Sequence, residues 1–248
     1  MKIMSFNCQG LAGPLKRHAL RRVVDLEHPD VMLLQENLGV GDVIKEKLES
    51  WFLGWQFVTL EVRGHSGGLA MGWNTHMVKA LNIWGLDSVL GMTLQGLDQG
   101  APVDVFNIYG PYLNRIPFWE NLFKLEMFRR DLVIIGGDLN FSLGQAEVWG
   151  PFARPDILLD YFSQKLTERH WLDIEPVKLK PTWHNNRCGD GRVAKHLDRF
   201  FISELMLEQQ HYMRQWVGCG GRSDHLPIFL EYRNGPVRPP SPLKFNKT

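Results

Sequence analysis

The sequence predicts an α/β (α+β) protein in which mixed or antiparallel sheets are flanked by helices. Three observations predict this fold class. Short runs rich in β-branched, aromatic and aliphatic residues outnumber the helical patterns, helical patterns do not follow every strand, and 248 residues suit one large domain. A regular parallel barrel would alternate strand and helix throughout, so the pattern favours a mixed sheet system.

The apolar runs predict short strands, because β-branched and aromatic residues fit the pleated surface of a sheet. We place these strands at about 2–7, 30–35, 56–62, 67–73, 78–83, 88–94, 103–109, 132–137, 197–202 and 226–232. Helices are predicted near 15–27, 42–50, 115–129 and 155–170, where apolar residues recur with the helical period. The apolar stripe of the third helix consists of Ile116, Trp119, Leu122, Phe123 and Met127.

The end of the chain is predicted to lie outside the folded domain. The stretch RNGPVRPPSPLKFNKT contains four prolines and no apolar period, so it cannot build a packed element. We therefore expect a catalytic domain over residues 1–233 and a Pro-rich tail or linker over residues 234–248.

Composition argues against several classes of protein. No apolar run is long enough for a membrane helix, and the N-terminal MKIMSFNCQG lacks the apolar core of a signal peptide. Cys8, Cys188 and Cys219 are few, odd in number and match no zinc pattern, which fits a reducing compartment. The net charge of +1 gives no argument from bulk charge for a nucleic-acid partner. We expect a monomer without membrane contacts.

The stretch VIIGGDLN, residues 133–140, ends an apolar strand with two polar residues. Residues at i and i+2 of a strand point to the same side, so Asp138 and Asn140 are expected to face one pocket. The same pattern recurs at other strand ends, which carry Asn7, Glu36, Tyr109, Asp198, Ser223, Asp224 and His225. Each residue alone has a plain structural explanation; for Asp198 it is an ion pair with Arg199 or Lys195. Together they predict one rim with one acidic site.

These residue types point to metal-assisted phosphoryl hydrolysis. Magnesium prefers oxygen ligands and is held by one or two carboxylates, for which Glu36 and Asp224 are natural candidates. Zinc would require more histidine or cysteine than this rim offers. The Asp198 carboxylate can orient the His225 imidazole and stabilise its cation. The uncharged groups suited to binding phosphate oxygens are Asn7, Asn140 and Tyr109.

Seven ordered motifs across nearly the whole chain resemble the endonuclease/exonuclease/phosphatase superfamily. They are SFNCQG, LLQE, IYGPY, GGDLN, LKPTW, HLDRFFIS and SDHLPI. Members of that superfamily include abasic-site endonucleases, DNase I and inositol-phosphate phosphatases. Four segments, NCQG, LDRFFIS, SDHLPI and the tail PSPLKFN, are most similar to the apurinic-like endonuclease domain of non-LTR retrotransposons, especially plant elements. The resemblance implies a DNase I-like fold, which is a two-sheet β-sandwich flanked by helices with the site at one rim.

The resemblance also implies the metal site. In the family pattern Glu36 binds the metal, Asn7 lies beside it, and Asp224 is a second acid near the metal. The implied cofactor is Mg²⁺, with Mn²⁺ as a substitute.

The catalytic roles are implied in the same way. Asp138 positions or deprotonates the attacking water, or protonates the leaving group. Asn140 touches the phosphate and Tyr109 donates to a phosphate oxygen. Asp198 orients His225, which contacts the scissile phosphate.

Contacts with the rest of the substrate are predicted for three sets of residues. Thr182 and Ser223 are implied by the resemblance as DNA-side or supporting contacts. Residues 183–196 form a predicted hairpin whose Arg187 and Arg192 could enter a DNA groove; the alternative is a solvated hairpin. The stretch VRGHSGG, residues 62–68, is a candidate for a second phosphate-contacting loop.

The predicted function is a Mg-dependent endonuclease that nicks double-stranded DNA and leaves a 3′-hydroxyl for target-primed reverse transcription. The implied second partner is the reverse transcriptase region of the same polyprotein. Because the substrate is DNA, we expect a nuclear or other intracellular location. The alternatives are a small-molecule or phosphoinositide phosphatase, an abasic-site repair endonuclease, and a catalytically inactive binding module. Leu38, which stands where repair enzymes carry lysine, disfavours the repair enzyme.

Overall fold

The structure is a computed structural model. It describes residues 1–61, 67–97, 100–151, 154–209, 212–220 and 222–233. The predicted tail at 234–248 and most of the predicted loop at 62–68 lie outside the described residues.

The described residues form strands and helices in the following order. The strands are β1 (Lys2–Asn7), β2 (Val31–Gln35), β3 (Trp55–Leu60), β4 (Leu69–Asn74), β5 (Val78–Leu86), β6 (Val89–Gly96), β7 (Val103–Tyr109), β8 (Val133–Asp138), β9 (Val148–Trp149), β10 (Trp171–Asp173), β11 (Trp183–His184), β12 (Ala194–Lys195), β13 (Asp198–Ser203), β14 (Tyr212–Val217) and β15 (Ile228–Arg233). The helices are α1 (Pro14–Glu27), α2 (Gly41–Trp51), α3 (Arg115–Lys124), α4 (Leu159–Arg169) and α5 (Glu204–Gln209). None of these described helices combines the length and apolar composition needed to span a bilayer.

Two six-stranded sheets pack face to face. The first has the strand order β14-β15-β1-β2-β4-β3, and the second has the order β10-β13-β8-β7-β6-β5. Between them lies a core that includes Leu33, Met71, Val105, Ile134 and Phe200. Helices α1 and α2 cover the outer face of the first sheet, and α3 and α4 cover that of the second. The predicted two-sheet sandwich flanked by helices is therefore confirmed.

The central strands are mainly apolar because both of their faces are buried. β2, β7 and β8 are buried at every position, as expected for strands that pack against the opposite sheet on one side and a helix on the other. Each sheet contains one parallel pair, β1 with β2 and β7 with β8, and each pair is joined by a helix, α1 or α3. In both pairs the carboxyl ends of the two strands therefore lie side by side.

Each of the ten predicted strands is present, with small shifts at the ends. Helix α3 ends at Lys124 rather than near residue 129, because Leu125 leaves the helical conformation before a short 3₁₀ turn at Glu126–Arg129. Strand β14 escaped prediction because its sequence, YMRQWV, mixes polar and apolar residues at the edge of a sheet. The predicted hairpin at 183–196 is present, as β11 pairs with β12 in a small third sheet with β9.

Candidate active site

The site lies at the rim where six strands begin or end. Asn7, Tyr109 and Asp138 are the last residues of β1, β7 and β8, and Glu36 follows β2. Strand β13 runs antiparallel to β8, and its first residue, Asp198, lies opposite Asp138 in the register. The chain segment before β15 is at the same rim because β15 runs antiparallel to β1. The polar residues lie at the ends of apolar strands, so the apolar runs stay in the core and the polar side chains collect at the rim.

Asp138 lies at the centre of the site and is completely buried. Its Oδ2 accepts a hydrogen bond from Asn7 Nδ2 at 2.9 Å and lies 3.5 Å from His225 Nε2. Its Oδ1 accepts from the backbone N–H of Asn140 at 3.2 Å. Burial and the nearby Asp198 carboxylate raise the pKa of Asp138 to about 7, although the charge of His225 opposes this rise. Asp138 is therefore held so that it can gain or lose a proton near neutral pH.

Asp198 and His225 form a buried hydrogen-bonded pair. His225 Nδ1 lies 2.8 Å from Asp198 Oδ2. Burial alone would lower the pKa of His225, but the carboxylates of Asp198 and Asp138 outweigh it and raise that pKa to about 10. The imidazole is thus a cation at neutral pH.

The alternative ion pair of Asp198 with Arg199 or Lys195 is not formed. Neighbouring residues of a strand point to opposite faces, so Arg199 faces away from Asp198. Arg199 is buried and pairs with Asp173 at 2.6 Å and Glu147 at 2.7 Å. These contacts tie β13 to β10 and to the turn before β9.

Glu36 lies beside Asp138 and is half-buried. Its Oε1 accepts from Asn7 Nδ2 at 3.1 Å and from the Tyr109 hydroxyl at 2.6 Å. Burial and this hydrogen bond raise the pKa of Tyr109, so the phenol is an uncharged donor. No described residue donates to Glu36 Oε2. This second oxygen is available to a ligand.

The donor set fits a divalent cation that prefers oxygen. Apart from the half-buried Glu36, three acidic or amide side chains near the site each have a buried oxygen without a hydrogen-bond partner among the described residues: Asp224 Oδ1, Asn140 Oδ1 and Asp198 Oδ1. Ligand atoms of Asp138, Asp198 and His225 lie within 4.8 Å of one another, which is also compatible with a metal. Both nitrogens of His225 already face carboxylates, however, so Glu36 is the better ligand.

Asn7 contacts both carboxylates next to the predicted metal position. Its Oδ1 accepts from the backbone N–H of Gln9 at 3.1 Å, and its Nδ2 points at the carboxylates of Glu36 and Asp138. Because an N–H group cannot bind a cation, Asn7 as placed here orients the two carboxylates and lies beside the metal position.

The predicted substrate contacts near the site are mainly supporting. Thr182 is 0% exposed, and its hydroxyl accepts from the backbone N–H groups of Leu197 (2.9 Å) and Asp198 (3.0 Å). A DNA contact by Thr182 is therefore wrong, because no part of it reaches the surface. Ser223 is partly exposed; its hydroxyl donates to the carbonyl of Asn7 at 2.8 Å and accepts from the His225 N–H at 3.1 Å. Ser223 thus ties the segment before β15 to the end of β1, its neighbour in the first sheet.

Asp224 and the 183–196 hairpin adjoin the site. Trp183 Nε1 donates to Asp224 Oδ2 at 3.0 Å, and the backbone of Trp183 bridges to His225. Arg187 and Arg192 are exposed at the tip of the hairpin and are not among the residues gathered around Asp138. A role for them in a DNA groove stays a prediction.

Sequence reasoning missed Arg115. Its Nη2 donates to the carbonyl of Asn140 at 2.7 Å and pairs with Asp156 at 3.0 Å. Asn140 itself has a left-handed backbone (φ 57°), and its Nδ2 donates to the carbonyl of Gly110 at 2.7 Å. Only the folded structure brings these groups together, since Arg115 and Asn140 are far apart in the chain.

This fold, together with the acids, amides and imidazole at its rim, is that of a sandwich enzyme of the nuclease and phosphatase class. The chain belongs to the endonuclease/exonuclease/phosphatase family, whose model matches residues 4–225. The predicted resemblance to this superfamily is thereby confirmed. A comparison with curated protein sequences gave no match.

Solved structures share the fold at low sequence identity. The endonuclease domain of TRAS1, a telomere-specific non-LTR retrotransposon, is 16% identical (94% of this chain and 98% of that chain covered, TM-score 0.71). An AP endonuclease from Archaeoglobus fulgidus is 18% identical (94% and 99% covered, TM-score 0.72). The 3′ phosphatase NExo from Neisseria, bound to a product DNA hairpin, is 19% identical (94% and 99% covered, TM-score 0.66). These likenesses establish the fold.

Proposed function

We propose that the protein is a divalent-metal-dependent phosphodiesterase that nicks one strand of double-stranded DNA, with Mg²⁺ as the metal and Mn²⁺ as a substitute. The observation that carries the proposal is the position of Asp138 between the Asp198–His225 pair and the Asn7–Glu36 pair. Acids, an imidazolium and uncharged donors gathered at one rim are the groups that phosphodiester hydrolysis requires.

Asp138 takes the proton of the attacking water. A pKa near 7 suits a general base that works at neutral pH. Asn140 Oδ1 is a buried acceptor without a protein partner, and a water hydrogen would satisfy it. A water that donates to both residues is oriented before it attacks.

The remaining groups bind the phosphate and balance its charge. The His225 cation, held in place by Asp198, offsets the charge of a phosphate oxygen. The Tyr109 hydroxyl, which donates its single proton to Glu36 here, would donate it to a phosphate oxygen when substrate binds. Glu36, with Asp224 nearby on the hairpin side, would hold the metal. A bound divalent cation supplies Lewis-acid stabilisation of the negative charge that develops on the phosphate.

The cut is further proposed to leave a 3′-hydroxyl that primes reverse transcription, with the reverse transcriptase region of a retroelement polyprotein as a partner. The motif resemblance to retrotransposon endonucleases and the fold shared with the TRAS1 domain support this step. The proposal includes a monomeric enzyme in the nucleus or another intracellular compartment that contains DNA.

A phosphatase is the second candidate function. The 3′ phosphatase NExo shares the fold, and the donor set at the rim fits a phosphomonoester as well as a diester. The 3′-phosphorylated end of an oligonucleotide is the substrate that distinguishes this activity from nicking.

The test is a nicking assay on supercoiled plasmid with Mg²⁺ and with EDTA. We expect nicking with Mg²⁺ only, and extension of the nick by a DNA polymerase, which requires a 3′-hydroxyl. Asp138→Asn and His225→Ala should each reduce the rate about a thousandfold, because each removes a proton-transfer or charge-balancing group. Asp160→Asn, the same change as Asp138→Asn but at an exposed acid in the first turn of α4, is the matched control and should nick normally.

Nicking that persists in EDTA, or that both variants retain, would contradict the proposal. Release of inorganic phosphate from a 3′-phosphorylated oligonucleotide, without plasmid nicking, would favour the phosphatase instead. Circular dichroism spectra of the variants check that the fold is intact.

A further inference from the structure

An exposed aromatic side chain stands next to the acidic site. Tyr112 is 68% exposed, and it is the only phenylalanine, tyrosine or tryptophan of the described residues that lies mostly in solvent. The adjacent Leu113 is 81% exposed. Burying an aromatic ring is favourable, so a ring left in solvent beside a functional site marks a contact surface for a ligand.

Tyr112 lies within reach of the acidic residues. Its ring packs edge-on against the ring of Tyr109, with 6.4 Å between centroids, and the Tyr109 hydroxyl is 2.6 Å from Glu36. Desolvation by the neighbouring protein and the charge of Asp138 raise the pKa of Tyr112, so its phenol is uncharged at neutral pH. A substrate phosphate bound at Asp138 would therefore bring its neighbouring groups to this ring.

The loop that carries Tyr112 is fixed to the site. The Gly110 N–H donates to the carbonyl of Asp138 at 2.8 Å, and the Gly110 carbonyl accepts from Asn140 Nδ2 at 2.7 Å. A Cβ at Gly110 would collide with the carbonyl of Leu139, so glycine is required for this close approach. An aromatic side chain with few rotatable bonds on an anchored loop loses little entropy when it binds a ligand.

We infer that Tyr112 is a specificity residue whose ring stacks on the nucleotide next to the scissile phosphate and favours DNA in which that nucleotide is unstacked. The inference rests on the proposed function and names its substrate class. Inside a regular duplex the base faces are covered by neighbouring pairs, so a ring at the surface reaches a base only where the stack opens. A small phosphorylated sugar offers no base to this ring.

The test is DNA binding without turnover. Fluorescence anisotropy in EDTA compares a fully paired duplex with the same duplex carrying one unpaired nucleotide. Wild-type protein should bind the second duplex about tenfold more tightly, in line with the effect of base–aromatic stacking. Tyr112→Ala should lose this preference, and Tyr112→Phe should keep it. The matched control is Tyr212→Ala. Tyr212 lies at the end of β14 that pairs with Arg233, far from Asn7, so this variant should keep the preference for the duplex with the unpaired nucleotide.

The ratio of the two affinities is the deciding quantity, because a merely structural defect would weaken both duplexes alike. An unchanged ratio in Tyr112→Ala overturns the inference. Equal loss in Tyr112→Phe also overturns it, since the hydroxyl and not the ring would then be responsible. A protein that shows the expected ratios but does not nick plasmid refutes the proposed function and leaves this inference standing. A wild type that binds neither duplex refutes both.

Discussion

At the scale of single residues, the site depends on three buried titratable groups that contact one another. Asp138 and Asp198 lie on either side of His225, at 3.5 Å and 2.8 Å from its two ring nitrogens. Neither acid could be buried unpaired without a large cost, and the imidazolium offsets that cost. Burial and the neighbouring Asp198 raise the pKa of Asp138 against the opposing charge of His225, and the two carboxylates keep His225 positively charged.

His225 should make folding stability depend on pH. Its pKa is about 10 in the folded protein against an ordinary 6.5, so the folded state keeps a proton that the unfolded state releases. This stabilisation is fully present below pH 6.5 and is lost as the pH rises towards 10. In urea unfolding with EDTA, the free-energy difference between wild type and His225→Gln should shrink between pH 6.5 and 9, by roughly 1 kcal/mol per pH unit.

The control for this measurement is His18→Gln, at an exposed histidine of α1. It shows what the same substitution does to stability at a surface position over the same pH range. A difference for His225→Gln that stays constant with pH would show that the imidazole is not protonated in the folded state.

At the scale of elements, two glycines decide how β8 meets its neighbours. Gly136 and Gly137 both belong to β8. A Cβ at Gly136 would enter the Phe200 ring at 2.5 Å. Gly137 has φ +149°, and a Cβ there would collide with the carbonyl of Ile108 in β7. The glycines therefore allow the close packing that places Asp138 at the rim.

Gly137→Ala should destabilise the protein by about 3 kcal/mol, since it combines a strained backbone with a backbone collision. Urea unfolding measures this loss. Gly13→Ala is the matched control, because nothing lies within 4 Å of a Cβ at that position and its φ of −91° suits alanine. It should change stability by less than about 1 kcal/mol. Equal effects of the two substitutions would refute the steric explanation.

At the scale of the whole molecule, the two parallel strand pairs define one functional rim. Each βαβ unit delivers two strand ends there, and β13 and the segment before β15 add Asp198 and His225. The β11–β12 hairpin extends the rim with Arg187 and Arg192. The net charge of +1 means that any affinity for DNA must come from such local groups and not from the whole surface.

The hairpin arginines should therefore appear in the salt dependence of DNA binding. Each phosphate contact releases counterions, so Arg187→Ala and Arg192→Ala should each reduce the slope of log affinity against log salt by about 1. Arg214→Ala, on β14 opposite Glu231 and far from Asn7, should leave the slope unchanged. A wild-type activity that hardly responds to salt would instead favour the small-molecule phosphatase.

The sequence by itself determined the strands and the residues at their ends. Apolar runs and the polar residues that stop them are local patterns, and the seven ordered motifs identified the superfamily before any contact was known. Strand β14 was the main omission, because an edge strand needs no continuous apolar pattern.

Only the tertiary structure decided which atoms meet. Asn7 and Asp138 are 131 residues apart, and the register of β13 against β8 sets Asp198 opposite Asp138. Because side chains alternate along β13, Arg199 points away from Asp198 and pairs with Asp173. Thr182 is buried beneath the site. Such pairings depend on the packing of distant segments, which no local period in the sequence records.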